Sequence, residues 1–364
     1  MFVRCFVFIL FSTAAVSVHG DVLETIRQQF EIYHRLPGEI EILATDDLRE
    51  IDNVLKRTET KRLTVRKELD KLDDVPTARR PKRELPSPLF TEDYVAPFLH
   101  YVTVERVFAQ RSLQQGKPDD AMQSFRTVYR LADELAASES LELRIIAARS
   151  RLQMLEIAQS LVSHPLCRHE HHESLHKILD DHIKNRETDE AIWIRYREEG
   201  KQFYENISRR GFDQMLSQNL LKELMERRAF DEYEKAMTER FNHDRSVFLR
   251  VCEVIVESCS RPFFQRQSAL RQLDAELRER RESANEPVFA LLLLRDVTSS
   301  MRLFAQERSG IETAHLALSV SLGIRNRQMP INLLTGNEYE IRLITDGVMC
   351  TYEGNIKPFY VPYR

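Results

Sequence analysis

The sequence predicts a mainly α protein, a multi-helix array of antiparallel helical hairpins that ends in a small C-terminal β-hairpin. Three observations lead to this fold class. Glycine is sparse, with 10 residues in 364, while leucine, glutamate, arginine and alanine favour helix. Apolar residues recur at helical spacing along most of the chain. Near its end, the pattern changes to the alternation that is typical of strands.

The first twenty residues have the organisation of a secretory signal peptide. Arg4 supplies a positive charge, the stretch from Cys5 to Val18 is uncharged, and Val18-His19-Gly20 suits cleavage before Asp21. The apolar run is shorter than the roughly 20 residues of a membrane-spanning helix. We therefore expect cleavage and export to the periplasm, the cell envelope or the medium, with an uncleaved N-terminal anchor as the alternative. No stable membrane span is expected after cleavage.

The mature chain divides into four parts. Residues 21–75 are expected to be a helical segment with well-spaced apolar positions. Residues 76–90 carry prolines and the basic run Arg79-Arg80-Pro81-Lys82-Arg83, which predicts an exposed linker. Residues 91–329 are expected to form the helical domain, and residues 330–364 the C-terminal hairpin and tail.

A helical hairpin is predicted over Val104–Leu135, with its turn at the Gly-Lys-Pro-Asp sequence. Ala121 and Phe125 follow that turn with the Ala-x3-Phe spacing of tetratricopeptide repeats. Two other positions depart from that repeat, because Glu105 replaces its tryptophan and Asp133 its closing proline. The hairpin therefore indicates similar packing without establishing a repeat array.

Eight further helices complete the predicted helical domain. Their expected bounds are Leu141–Val162, Ser174–Asn185, Glu187–Asn206, Phe212–Arg240, Ser246–Ser258, Phe263–Arg281, Val288–Glu307 and Ser309–Arg325.

The clearest strand signal lies near the C-terminus. Residues Glu338–Leu343 alternate polar and apolar, Thr345-Asp346-Gly347 is a turn, and Val348–Tyr352 returns. After them comes the aromatic tail Phe359–Tyr363, for which packing onto the helices and docking of a partner are both open.

The order of these pieces resembles a group of secreted bacterial all-helical proteins of unknown function. The resemblance rests on the signal peptide, on Leu131-Ala132-Asp133-Glu134-Leu135 at the end of the helical hairpin, and on Pro330–Gly336 before the β-hairpin. It covers residues 95 to 355 and implies a fold and a compartment more than an activity. Asn332 stands where the group usually has an acidic residue, which argues against a metal contact there.

Charge and cysteine content limit the partners and the chemistry. Removing Arg4 with the signal peptide changes the formal net charge from −4 to −5, so nucleic acid is not expected as a partner. An envelope or extracellular protein remains the expected partner class. The four mature cysteines, Cys167, Cys252, Cys259 and Cys350, are either free buried thiols or disulfide-bonded.

One motif has the spacing of a catalytic metal site. Histidines concentrate between His164 and His182, and within them lies His172-Glu173-Ser174-Leu175-His176. Two histidines four residues apart share a helix face and can bind one Zn²⁺, and Glu173 could then act as general base on a metal-bound water. Weak metal binding by His169, His172 and His176 is a second possibility. The third is a helix N-terminus with exposed histidines that bind nothing.

The surrounding sequence argues against a protease. His182 has the offset of the third zinc ligand of metzincins, but Leu179 occupies the position where those enzymes have glycine. In a continuous helix His182 would lie about 15 Å along the axis from His172. Two functions therefore remain, an exported helical scaffold or interaction protein without catalytic activity or cofactor, and a zinc-dependent metallohydrolase built on His172, Glu173 and His176.

Overall fold

A computed structural model of the chain confirms the predicted fold class. It describes residues 47–71, 92–137, 141–210, 230–281, 297–324, 329–353 and 357–363, together with a few isolated positions near residues 25–30, 43 and 290–294. Within these ranges the chain forms nine long helices and a small antiparallel sheet. The helices are α1 Leu48–Lys71, α2 Glu92–Gln114, α3 Pro118–Ala137, α4 Leu141–Ser163, α5 His169–Asn185, α6 Asp189–Arg210, α7 Phe230–Ser258, α8 Phe263–Arg281 and α9 Val297–Ser321. The strands are β1 Glu340–Ile344, β2 Gly347–Thr351 and β3 Phe359–Pro362.

Two hydrophobic cores hold the helices together. The larger one joins α1 to α5, the C-terminal half of α9 and the sheet, and it contains Phe98, Tyr101 and Phe125. The second joins α6, α7, α8 and the N-terminal half of α9 around Trp193 and Phe248. Because α9 contributes to both cores, it connects the two halves of the array. Burial of such aromatic residues dominates the stability of helical packings of this kind.

The predicted hairpin is present as α2 and α3. Its turn uses Gly116 at a φ of 72°, a left-handed conformation that glycine adopts without a steric cost. Asp119 and Asp120 follow in the first turn of α3, where negative charge is favoured by the helix dipole. Ala121 and Phe125 are both fully buried, as the repeat-like spacing predicts.

Two predicted helix breaks are wrong. The chain runs as one helix, α7, through residues 241–245, which separate two of the predicted helices. Asp244 in that segment is buried and accepts a hydrogen bond from the Tyr204 hydroxyl, so its polarity is satisfied inside the helix packing. The chain is likewise helical through Ser309 and Gly310 in α9. A Cβ at Gly310 would lie 2.9 Å from the Leu155 side chain, so close packing on α4 accounts for this glycine.

The sheet confirms the predicted hairpin and adds a strand. β1 and β2 pair antiparallel with Ile344 opposite Gly347. The aromatic tail forms β3 on the other side of β2, so the first of its two alternatives, packing within the protein, describes the structure. The outer edge of β3 is covered by Gln159 of α4, whose side-chain amide exchanges two 2.8 Å hydrogen bonds with the backbone of Tyr360.

The segment before the sheet is a local turn. Asn332 is fully buried, and its Oδ1 accepts hydrogen bonds from the N–H groups of Leu334 and Thr335 at 2.9 and 3.2 Å. The Leu333 carbonyl also accepts a hydrogen bond from the Phe264 N–H at the start of α8, which docks the turn on the helices. Asn332 therefore closes a turn, the role that asparagine side chains commonly have in loops.

Several predictions lie outside the described residues. These are the signal peptide 1–20, the linker 76–90, most of the helix predicted at Phe212–Arg240 and several positions at the start of the helix predicted at Val288–Glu307. The four mature cysteines are free thiols in the structure, three of them buried. Burial raises the pKa of Cys259 to about 11 and that of Cys350 to about 12, so both thiols are protonated at neutral pH.

Candidate functional site

The histidine-rich helix α5 begins at His169, five residues earlier than the predicted start at Ser174. Its first turn is held by His171, whose Nδ1 accepts a 2.8 Å hydrogen bond from the backbone N–H of Arg168. With Nδ1 accepting, the ring proton of a neutral His171 lies on Nε2, 2.9 Å from the Asp119 carboxylate. This hydrogen bond lowers the pKa of Asp119 and ties α5 to α3.

His169 and His172 lie in different environments on α5. His172 is 3% exposed and faces the core, whereas His169 is exposed and lies 3.4 Å from the exposed Glu173. The alternative of a helix N-terminus with exposed histidines is correct for His169 but wrong for His171 and His172, which are buried. Glu173 pairs with His169 on the outer surface and does not share a site with the core-facing His172.

His176 forms a hydrogen bond with the neighbouring helix α9. Its Nε2 lies 2.9 Å from Ser319 Oγ, while that hydroxyl is 2.8 Å from the His315 carbonyl. A serine hydroxyl has one proton, so donation to the carbonyl requires His176 Nε2 to donate in turn. The nitrogen that would bind zinc in the predicted motif then carries a proton.

A second histidine stacks on His176. The rings of His176 and His315 lie 4.4 Å apart, and His315 Nε2 is 3.5 Å from Asp180. Burial lowers the pKa of both histidines, that of His315 to about 4, where the charge of His176 adds to the effect. Both rings are therefore neutral at pH 7, and they fasten α5 to α9 by stacking.

The third candidate ligand lies in a separate cluster. α5 is continuous through Leu179, so His182 is about 15 Å along the axis from His172. It is within 3.8 Å of both Asp133 and Glu307, and Arg151 binds the same two carboxylates at 2.7 Å each. His182 and Arg151 hold the pKa of Asp133 below its usual value. This cluster joins α3, α4, α5 and α9.

The residues that the motif offered for zinc are thus not brought together. Over the described ranges, no group of three His, Cys, Asp or Glu side chains is placed to hold a metal ion. His169, His172 and His176 fail to converge because one is exposed, one faces the core and one is bonded to Ser319. We therefore derive no catalytic step through a metal.

Sequence reasoning missed a set of buried ion pairs. Glu105 is fully buried and binds Arg62 and Arg66 of α1, while Asp189 binds Arg266 of α8 and Arg308 of α9. One signal was available, since Glu105 and Asp133 are the two positions that depart from the repeat pattern. Each of these acids receives an arginine from a neighbouring helix.

Comparisons with known proteins find no match to this chain. No protein-family model, curated protein or solved structure matches the chain. A search of the described helices finds none that is long and apolar enough to cross a membrane. Function must therefore be inferred from the arrangement of the residues themselves.

Proposed function

We propose that this chain is an exported helical scaffold that binds a protein partner and has no catalytic activity of its own. The observation that carries the proposal is the use of the histidine helix. His171, His176 and His182, the polar groups from which an active site would be built, each contact a side chain of another helix. These contacts rigidify an array of helices, which is a suitable frame for presenting a binding surface.

The charge distribution supports a protein partner. The formal net charge of the complete sequence is −4 with acidic and basic residues interspersed, which disfavours nucleic acid and anionic lipid as partners. Charged residues that pair between helices also fix the register of the array, because like charges would oppose a shifted packing. Envelope or extracellular proteins are the partner class that export makes available.

Export is tested at the N-terminus. We expect the protein recovered from the expressing cell's envelope or medium to begin at Asp21, as determined by intact-mass and N-terminal peptide analysis. A chain that retains Met1–Gly20 in the cytoplasm would contradict the proposed compartment. That result would leave the binding role to be tested separately.

Partner binding is tested by cross-linking in cells followed by reconstitution. We expect one envelope protein to be recovered in independent replicates and to form a complex of fixed stoichiometry with the purified chain. Failure of every recovered candidate to form such a complex would contradict the scaffold. Metal analysis of the same purified protein distinguishes the scaffold from the zinc hydrolase. One tightly bound zinc that is lost in the His172→Ala/His176→Ala variant would support the hydrolase.

A further inference from the structure

The outer edge of strand β1 is open over the described part of the chain. The sheet has the order β1-β2-β3, and the far edge of β3 is covered by Gln159. No described strand pairs with the opposite edge, which belongs to β1. Just before β1, Ile331 forms a single bridge with Glu338, and the adjacent Pro330 has no N–H group to extend that pairing. Among the described residues, the edge from Ile341 to the hairpin turn therefore has no partner strand.

The pairing of β1 with β2 fixes the direction of the free backbone groups. Ile344 and Gly347 flank a two-residue turn, and the residues that close such a turn exchange backbone hydrogen bonds. Because bonded and non-bonded pairs alternate, Ile341 and Leu343 belong to non-bonded pairs and direct their N–H and C=O groups away from β2. An additional extended strand is the ligand that matches the spacing of these groups.

Leu343 is the apolar centre of the open edge. It is aligned across the sheet with Val348 and Val361, which are both fully buried. Leu343 itself is 69% exposed, the largest value among the exposed large apolar side chains of the described chain. A strand added beside β1 would remove this side chain from water, which is favourable for an apolar residue.

A second copy of this chain can supply such a strand in one register. With a two-fold axis beside Leu343, the two Leu343 residues form a bonded antiparallel pair and their side chains cover each other. Registers centred on Ile341 or Arg342 would push the hairpin of the second copy onto the segment 330–331, which lies beside the start of the edge. The register centred on Leu343 avoids this overlap.

The exposed charges beside Leu343 are complementary in the same register. Arg342 forms an ion pair at 2.6 Å with Glu340 of its own strand, and Asp346 is exposed in the hairpin turn. In the register centred on Leu343, Arg342 of one copy is diagonal to Asp346 of the other, at about 7–8 Å, a distance that long side chains can span. Each arginine would then lie between two carboxylates, one from each copy.

We propose that the open edge of β1 pairs with β1 of a second copy of this chain, antiparallel and centred on Leu343, to form a two-fold symmetric dimer. The pairing closes at two copies because Gln159 covers the other edge of the sheet. A contact of this size lies at the weak end of protein interfaces, so the dimer forms at high chain concentration. The proposal concerns self-association and does not rest on the scaffold function.

Disulfide trapping tests the register. In a bonded antiparallel pair the Cα atoms are about 5.5 Å apart, which suits a disulfide, so Leu343→Cys should form a covalent dimer under mild oxidation. Arg342→Cys is the matched control, because its Cα atoms would be about 7–8 Å apart and should cross-link about tenfold more slowly. The wild-type chain controls for its own free thiols. Equal rates at the two positions would overturn the proposal.

Sedimentation of the full chain at concentrations up to about 1 mM tests the association without cross-linking. The wild type should show a monomer–dimer equilibrium. Leu343→Ser should raise the dissociation constant about tenfold or more, whereas Val254→Ser, at a half-exposed apolar residue of α7, should change it by less than about twofold. A wild-type chain that stays monomeric, or equal effects of the two variants, would contradict the dimer.

The charges provide a rescue that a folding defect cannot imitate. Arg342→Glu and Asp346→Lys should each weaken self-association about fivefold, because like charges then meet across the axis. A one-to-one mixture of the two variants should recover association, because each introduced charge then meets its opposite. Failure of the mixture to recover would overturn the proposed register. These outcomes are separate from failure to find an external partner.

Discussion

At the scale of single residues, buried charges explain more of this structure than its histidine motif does. Glu105, Arg151 and Asp189 each lie at a junction of helices and are satisfied by partners from at least two of them. Removing one charged residue of such a group leaves the opposite charges buried and unpaired. The resulting loss of stability is larger than the stability that the intact group contributes.

Replacing Glu105 by alanine tests this view. The change leaves the nearly buried side chains of Arg62 and Arg66 without a carboxylate, and we expect the free energy of unfolding to fall by about 3–5 kcal/mol. Glu68→Ala is the control, because Glu68 pairs with a half-exposed Lys71 within the same helix and should cost less than about 1 kcal/mol. Urea unfolding of both variants gives the comparison, and equal losses would contradict the role of Glu105.

Gly200 makes a close contact between α6 and α7. A Cβ at this position would lie 2.1 Å from the Phe248 ring, so Gly200→Ala forces that ring or one of the helices to shift. We expect a loss of about 1–3 kcal/mol in unfolding free energy, reduced by the better helix propensity of alanine. In a double-mutant cycle, Phe248→Leu should relieve part of that loss, whereas strict additivity of the two changes would argue against the contact.

Stability should fall in mild acid because of His100. Burial, with a smaller contribution from the charge of Lys61, lowers the pKa of His100 to about 4, while an unfolded histidine titrates near 6.5. Between these values the unfolded chain binds a proton that the folded chain does not. The contribution of His100 to the free energy of unfolding is therefore complete above pH 6.5 and is lost towards pH 4. We expect a decrease of about 3 kcal/mol from this group.

The control for this pH dependence is His100→Gln. Urea unfolding at pH 7.5 and pH 4.5 should show a smaller difference in this variant than in the wild type, with the remainder owing to other groups such as His315. An unchanged difference would show that His100 is not responsible.

At the scale of elements, the sequence predicted the bounds of some helices closely. Phe263–Arg281 has the predicted bounds, and Leu141–Ser163 differs by one residue. The errors occur where a residue that usually ends a helix is accommodated by packing. Asp244 inside α7 and Gly310 inside α9 are examples, since each is explained by a neighbour distant in sequence.

The third strand could not be predicted for a similar reason. Its aromatic sequence suits either a strand or a packed coil, and what decides between them is pairing with β2 on one side and with the side chain of Gln159, two hundred residues earlier, on the other. Long-range hydrogen bonds of this type leave no local pattern. The β1–β2 hairpin, by contrast, has a local turn and alternation, and both were recognised.

Gln159 offers a test at this scale. In Gln159→Ala, the N–H and C=O of Tyr360 lose their two partners, and we expect a loss of about 1–3 kcal/mol and faster hydrogen exchange at Tyr360. Ser163→Ala is the control, because it removes another hydrogen bond of Gln159 while leaving both bonds to Tyr360. Equal exchange of the Tyr360 amide in the two variants would contradict the described edge.

At the scale of the whole molecule, α9 contributes to both hydrophobic cores and makes several polar contacts with neighbouring elements. Glu307, Glu312 and Ser319 of this helix bind groups from α4, α5 and the segment before β1. The sequence indicated the helical array and the candidate residues, but not how those residues are used. Burial decides that, because the core-facing His172 and the exposed Glu173 belong to different environments despite their adjacency.

The most direct test of the account is a zinc titration of the purified, metal-free chain, followed by calorimetry and by thermal unfolding. If the histidines of α5 fasten helices, zinc should bind only weakly and without fixed stoichiometry, and the melting temperature should not rise. The His172→Ala/His176→Ala variant should be less stable than the wild type, with unchanged zinc binding. One zinc bound per chain at nanomolar affinity, with a raised melting temperature and loss of both effects in that variant, would contradict the account.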